Sequence, residues 1–219
     1  MLVINLPFEN LPPVKSSNTV YEVLQLMDQY QVQELPLIDG DEYKGLIREE
    51  ALMEMDEDLE LGSLQHYLLP MAVNTTDHFL KAVTMATTAN LQVLPVVEPS
   101  GRFIGIISSN TLLKELGHFM QTNEPGAIIV LELEPAQYSF SEICRLVESN
   151  DAQITQLNTS AITDEGRMPV TIKLNKLEVS DIVATFQRYE YHVKHYFGEE
   201  LYTNELKSNY ENLMSYLNV

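Results

Sequence analysis

The sequence predicts an α+β chain with two folded units. The first holds two copies of a β-α-β-β-α unit, and the second a single β-α-β-β-α-β unit. Three observations carry this. The stretch Val93–Leu113 has a close counterpart about sixty residues earlier. Each copy moves from helical to strand periodicity in the same order. A polar Pro-Gly linker at Gln121–Gly126 then separates the repeat from a segment of different grammar.

At a shift of 59, Val14-Lys15-Ser16-Ser17-Asn18 falls on Val73-Asn74-Thr75-Thr76-Asp77, and Leu35-Pro36-Leu37-Ile38 on Leu94-Pro95-Val96-Val97. One extra residue enters the next turn. At a shift of 60, Gly45-Leu46-Ile47 falls on Gly105-Ile106-Ile107, and Leu52-Met53 on Leu112-Leu113. Two copies are too few for a solenoid and predict two halves packed about a pseudo-two-fold axis. In each copy a polar cluster (Ser16–Asn18, Thr75–Asp77) is expected to cap a helix. The apolar stripes are Val20, Val23, Leu24 and Met27, then Phe79, Ala82, Val83 and Ala86. Pro36 and Pro95 are expected at strand beginnings, where a missing donor is tolerated. Between the copies, Glu54–Gly62 is acidic and reads as a solvated connection. Its oxygen spacing is not that of an EF-hand loop.

This grammar resembles the CBS domain, and the tandem resembles a CBS pair (Bateman module) over about residues 1–120, with copy one near 1–60 and copy two near 61–120. The resemblance implies an adenine nucleotide (AMP, ADP or ATP) in the cleft between the copies. Its ribose and phosphate contacts in the family come from Gly-aliphatic-aliphatic-Ser/Thr-x-x-Asp. Copy two keeps Ser108, with Thr111 where the acid is expected; copy one has Arg48 and Ala51. The implied contacts are Leu94, Pro95, Val96, Ile107, Ser108, Ser109 and Thr111, with Arg48 reaching across. Two alternatives stand beside these roles. Ser108 and Ser109 can simply cap the following helix, and Arg48 can be a solvated helix-start residue.

Beyond the linker, residues 126–198 carry the second unit. Ala127–Leu133 is an apolar strand. Tyr138 or Ser139 opens a helix with Phe140, Ile143, Leu146 and Val147 on one face. Ala152–Ile162 alternates as a strand, Asp164–Arg167 turns, and Met168–Leu174 returns. Val179, Ile182, Val183 and Phe186 form a second helical stripe, and His192–Phe197 a last strand. The order is the ferredoxin-like plan, and after a CBS pair it resembles an ACT domain. The whole then resembles acetoin-utilisation-type regulatory proteins. The resemblance implies pairing into a homodimer and, in some members, amino-acid sensing. Yet the turn Glu134–Ser139 lacks the Gly that lets a backbone approach an amino acid. Residues 199–219, with Leu206, Tyr210, Leu213 and Leu217 at 4-3-4 spacing, predict a C-terminal docking helix.

A formal charge of −19 argues against nucleic acid polymers and anionic membranes, whose affinity rests on Lys and Arg. No apolar run approaches the roughly 18 residues of a membrane span. The first residues carry no basic region or cleavage site, so no signal peptide is expected. One cysteine fits a reducing cytoplasm. His192 and His195, three apart on a strand, fall on opposite faces and predict no shared metal. Cys144 reads as a buried structural thiol. No nucleophile elbow, zincin helix or phosphate loop is present. The sequence therefore predicts a non-enzymatic regulatory or sensor protein with an unidentified protein partner. Its alternatives are a scaffold with a decayed cleft and an amino-acid sensor.

Overall fold

The computed structural model describes residues 1–198. The expected C-terminal helix lies outside the described residues. The chain divides into two compact units, Met1–Phe119 and Met120–Val219.

In the first unit, copy one comprises β1 (Val14–Lys15), α1 (Val20–Tyr30), β2 (Glu34–Asp39), β3 (Glu42–Arg48) and α2 (Glu49–Leu52). Copy two comprises β4 (Val73–Asn74), α3 (Phe79–Ala89), β5 (Val93–Val97), β6 (Phe103–Ser108) and α4 (Ser109–Phe119). Each copy builds a three-stranded sheet in sequence order. Its short first strand runs parallel to the central one, and the hairpin partner antiparallel. Pro36 and Pro95 are each the third residue of their strand rather than the first. They are tolerated because the short neighbours β1 and β4 start pairing only beyond them, at Leu37 and Val96.

The helices start one residue later than the polar clusters suggest. Thr19, not the Ser16–Asn18 cluster, caps α1. Its hydroxyl accepts from the Glu22 amide, and the Glu22 carboxylate accepts from Thr19 N–H. Asn18 instead accepts from the Lys15 amide, and Ser16 donates to Asp39. In copy two His78 Nδ1 takes the cap position, while Asp77 holds Asn74 N–H and Lys81. Thr19→Ala is expected to cost about 1 kcal/mol. A lowered urea midpoint with an unchanged slope, followed by circular dichroism, checks it.

The acidic stretch is more than a connection. The carbonyls of Leu59 and Glu57 accept from the first amides of α1, at Val20 and Tyr21. Leu61, at the start of a short 3-10 segment, is buried. The carboxylates stay in water, but the backbone closes the open N-terminus of α1.

The two copies are bound through strands β2 and β5. Glu34, 2% exposed, accepts from the backbone amides of Gln92 and, at 2.9 Å, Val93. Gln33 N–H donates to the Gln92 side chain at 3.1 Å. Tyr43 OH donates to the Met71 carbonyl at 2.7 Å, and burial pushes that phenol's pKa well up. Leu46 of copy one packs in the same apolar cluster as Phe79, Leu94 and Ile106 of copy two.

The second unit comprises β7 (Ile128–Leu133), α5 (Phe140–Glu148), β8 (Ile154–Thr159), β9 (Met168–Leu174), α6 (Ser180–Arg188) and β10 (Val193–Phe197). The sheet order is β10-β7-β9-β8, with every neighbour antiparallel. Ile129, Leu131 and Leu133 alternate into a core with Ile143, Leu146, Val147, Ile182 and Phe186. Phe140 does not join them. It is the first residue of α5 and is 55% exposed, one turn outside the stripe. Cys144 is half-buried rather than fully buried, and burial with the nearby Glu148 charge raises its thiol pKa. Among the described residues no helix is long and apolar enough to cross a membrane, and no cluster of three or more metal-ligating side chains occurs.

Candidate functional site

The site forms where β6 hands over to α4. Ser108 ends the strand and its hydroxyl accepts the Thr111 amide at 3.1 Å, so Ser108 caps the helix as one of the two sequence readings expects. Thr111, 9% exposed, points back over the same corner. Both hydroxyls donate to one oxygen, Oε1 of Glu9: Ser108 at 2.5 Å and Thr111 at 2.7 Å. These bonds, Ser108 first, hold the Glu9 carboxyl below the usual carboxylate range against the opposing effect of burial; the Lys114 charge adds to them.

Glu9 reaches this corner because the N-terminal segment is fastened to copy two. Val3 and Ile4 donate to the carbonyls of Asp77 and Thr75, and the side chains of Val3 and Leu6 are buried. The Phe8 ring lies on Gly105, where a Cβ would stand 3.0 Å from Phe8 Cγ. Glu9 N–H then donates to the Ile106 carbonyl at 2.8 Å.

The same arrangement recurs in copy one with different chemistry. Leu69 exchanges backbone hydrogen bonds with Leu46, and Leu68 lies against Gly45. By these contacts, which match those of Phe8 with Gly105 and of Glu9 with Ile106, Leu68 and Leu69 take the places of Phe8 and Glu9. Copy one therefore has an aliphatic side chain where copy two has a carboxylate, and Arg48 and Ala51 where copy two has two hydroxyls. Arg48 stands at the start of α2, as one sequence reading expects, but its guanidinium is only partly exposed. It donates to the Ala89 carbonyl at 2.6 Å, at the C-terminus of α3, where a cation is favoured. It also lies 3.5 Å from Glu50.

The other expected contacts separate into two sets. Leu94, Pro95, Val96 and Ile107 are buried on the paired strands β5 and β6, with Leu94, Val96 and Ile107 inside the apolar cluster. Their side chains support the corner from beneath. Ser109 is exposed as the first residue of α4, its amide donating to Gln92 O. It lines a cavity of about 500 Å³ between α3 and α4, together with Gln33, Asn90 and Gln92. Of the expected site residues, only Ser109 lines that cavity. Glu9 and Phe8 were not expected. The available signal was a lone acid in an apolar N-terminal segment, set against an aliphatic residue at the shift of 59.

No curated protein sequence matches the chain. The CBS domain model matches residues 3–58 and 70–118. Among solved structures, a CBS domain pair/ACT domain protein from Thermotoga maritima is 26% identical with a TM-score of 0.50, covering 55% of this chain and 99% of that one. The CBSX2 structure in complex with AMP is 22% identical, with a TM-score of 0.45 over 54% of this chain and 98% of that one. AcuB from Vibrio cholerae, a protein assigned to acetoin utilization, is 14% identical, with a TM-score of 0.47 over 57% of this chain and 96% of that one. The repeat, the matching sheets and the two model matches agree: the first unit of this chain is a tandem pair of CBS domains.

Proposed function

We propose that this is a non-enzymatic regulatory protein of the cytoplasm, whose CBS pair senses a ligand built on adenosine, the class that includes the adenine nucleotides. The observation that carries this reading is the corner where Ser108, Thr111 and Glu9 converge at the start of α4. The sequence leaves Thr111 where a carboxylate is expected, and Glu9 supplies a carboxylate from another segment. It has acceptor capacity left after the two hydroxyls, as a ribose hydroxyl would need. The corner is poorly suited to catalysis. A carboxylate held below its usual pKa is a weak base, and it is the group to which both hydroxyls donate.

The second unit is read as ACT-like, serving assembly. Its element order and the sheet order β10-β7-β9-β8 are those of the ferredoxin-like plan, and among the described residues β8 and β10 end that order, the place where a second copy would add strands. A ligand in the CBS pair would favour one arrangement of the copies, and a protein partner would read the change. A scaffold reading has its own support, since the hydroxyl donors of Ser108 and Thr111 are already spent on Glu9.

Thermal melting with adenosine, AMP, ADP, ATP and S-adenosylmethionine separates the readings. A bound ligand at 100 times its Kd stabilises by about 2.7 kcal/mol, and Ser108→Ala is expected to abolish that gain. No shift with any of the five at millimolar concentration supports the scaffold. A parallel panel of free amino acids tests sensing by the second unit.

A further inference from the structure

The charge of Glu9 has a consequence for which adenosine ligand the corner admits. Both hydroxyl protons point at the same carboxylate oxygen. A phosphate arriving at the start of α4 would therefore meet an anion in place of two donors. Glu9 does not swing away at no cost. Its own amide is bonded to Ile106, Phe8 is seated on Gly105, and the segment before it is anchored by the buried Val3 and Leu6. Lys114 acts on the Glu9 charge itself, and Arg48 is engaged with Ala89 and Glu50. A neutral hydroxyl, by contrast, finds an acceptor already oriented and needs no displacement.

We propose that Glu9 is the specificity-determining residue of copy two, admitting a phosphate-free nucleoside with free ribose hydroxyls and excluding a ligand that brings phosphate to the Ser108–Thr111 pair. This rests on the reading of the CBS pair as an adenosine-ligand site. Copy one, with Leu69 at the matching position and Arg48 and Ala51 in place of the two hydroxyls, does not repeat this corner. The selection is electrostatic, a like-charge penalty set at one corner rather than a change of shape.

The test is isothermal titration of adenosine and of AMP into the full chain, its Glu9→Gln variant and, as a control for net charge, Asp28→Asn on the exposed surface of α1. Glutamine keeps the size of Glu9, and its carbonyl still accepts from both hydroxyls. Adenosine is expected to bind the native chain at least tenfold more tightly than AMP. Glu9→Gln is expected to narrow that ratio by tenfold or more, and Asp28→Asn to leave it unchanged. Equal affinity of the native chain for both ligands, an unchanged ratio in Glu9→Gln, or equal narrowing in Asp28→Asn overturns the proposal while the adenosine-site reading survives. Failure of both ligands to bind any of the three proteins overturns that reading and this proposal with it.

Discussion

Glu34→Ala is expected to destabilise the first unit by about 2–4 kcal/mol, whereas Glu34→Gln costs about 1 kcal/mol or less. The reason lies in what the carboxylate does. It is a buried acid of copy one that accepts two backbone amides of copy two, at Gln92 and Val93. Alanine removes the acceptor and strands both donors where β5 begins, and an unmet buried donor costs its full desolvation. Glutamine keeps a carbonyl oxygen for them and removes the charge. Burial, the largest influence, raises the Glu34 pKa; the bonds from Val93 and Gln92 and the charge of Arg48 oppose it.

The sign of the pH dependence follows. A raised folded-state pKa means that the native chain holds this proton more tightly than the unfolded chain. The ionised group therefore opposes folding above its folded-state pKa, and the opposition fades as pH falls through that value toward 4.5. Glu34→Gln should gain on the native protein as pH rises through this window. Urea midpoints of the three proteins across mildly acidic to neutral pH check both statements. Equal losses for alanine and glutamine would remove the acceptor argument.

The contrast between Glu34 and Glu9 shows what the sequence displays and what it hides. The repeat was legible because apolar spacing and the Leu-Pro strands survive comparison of one half with the other. The same comparison sets Glu34 against Val93, and so points to one place where the halves differ, whereas the match of Glu9 with Leu69 rests on their backbone bonds to Ile106 and Leu46. It does not say which donors face those acids. Ser108 and Thr111 are about a hundred residues from Glu9, and such a meeting is fixed by the docking of the N-terminal segment across β6. Local rules erred by single residues for the same reason. Ser16–Asn18 has capping chemistry, but Thr19 stands where its hydroxyl and the Glu22 carboxylate can cap reciprocally. Phe140 fits the helical period, yet as the first residue of α5 it stays exposed while Ile143, one turn on, is buried.

The second unit offers the other large effect: Gly126→Ala is expected to destabilise it by about 3 kcal/mol or more. The cause is contact rather than backbone conformation. A Cβ at Gly126 would overlap the Leu174 carbonyl oxygen and stand 3.2 Å from its carbon. Neither side can give way easily. Leu174 N–H is bonded to Ala127 O, Ala127 N–H to Lys176 O, and Ala127 and Leu174 are buried in the core between β7 and β9. Relief requires the start of β7 to leave β9, the pairing at the centre of the four-stranded sheet. Gly166 is the control within the same unit. Its φ of +75° strains any side chain, but a Cβ there meets nothing within 4 Å. Gly166→Ala should therefore cost only about 1–2 kcal/mol. Hydrogen exchange followed by mass spectrometry localises the damage. Peptides from β7 and β9 should lose protection in Gly126→Ala, while those from β2 and β5 keep theirs. Loss of protection spread equally over both units would mean that the two do not unfold separately, and the contact at Leu174 would then no longer account for the effect.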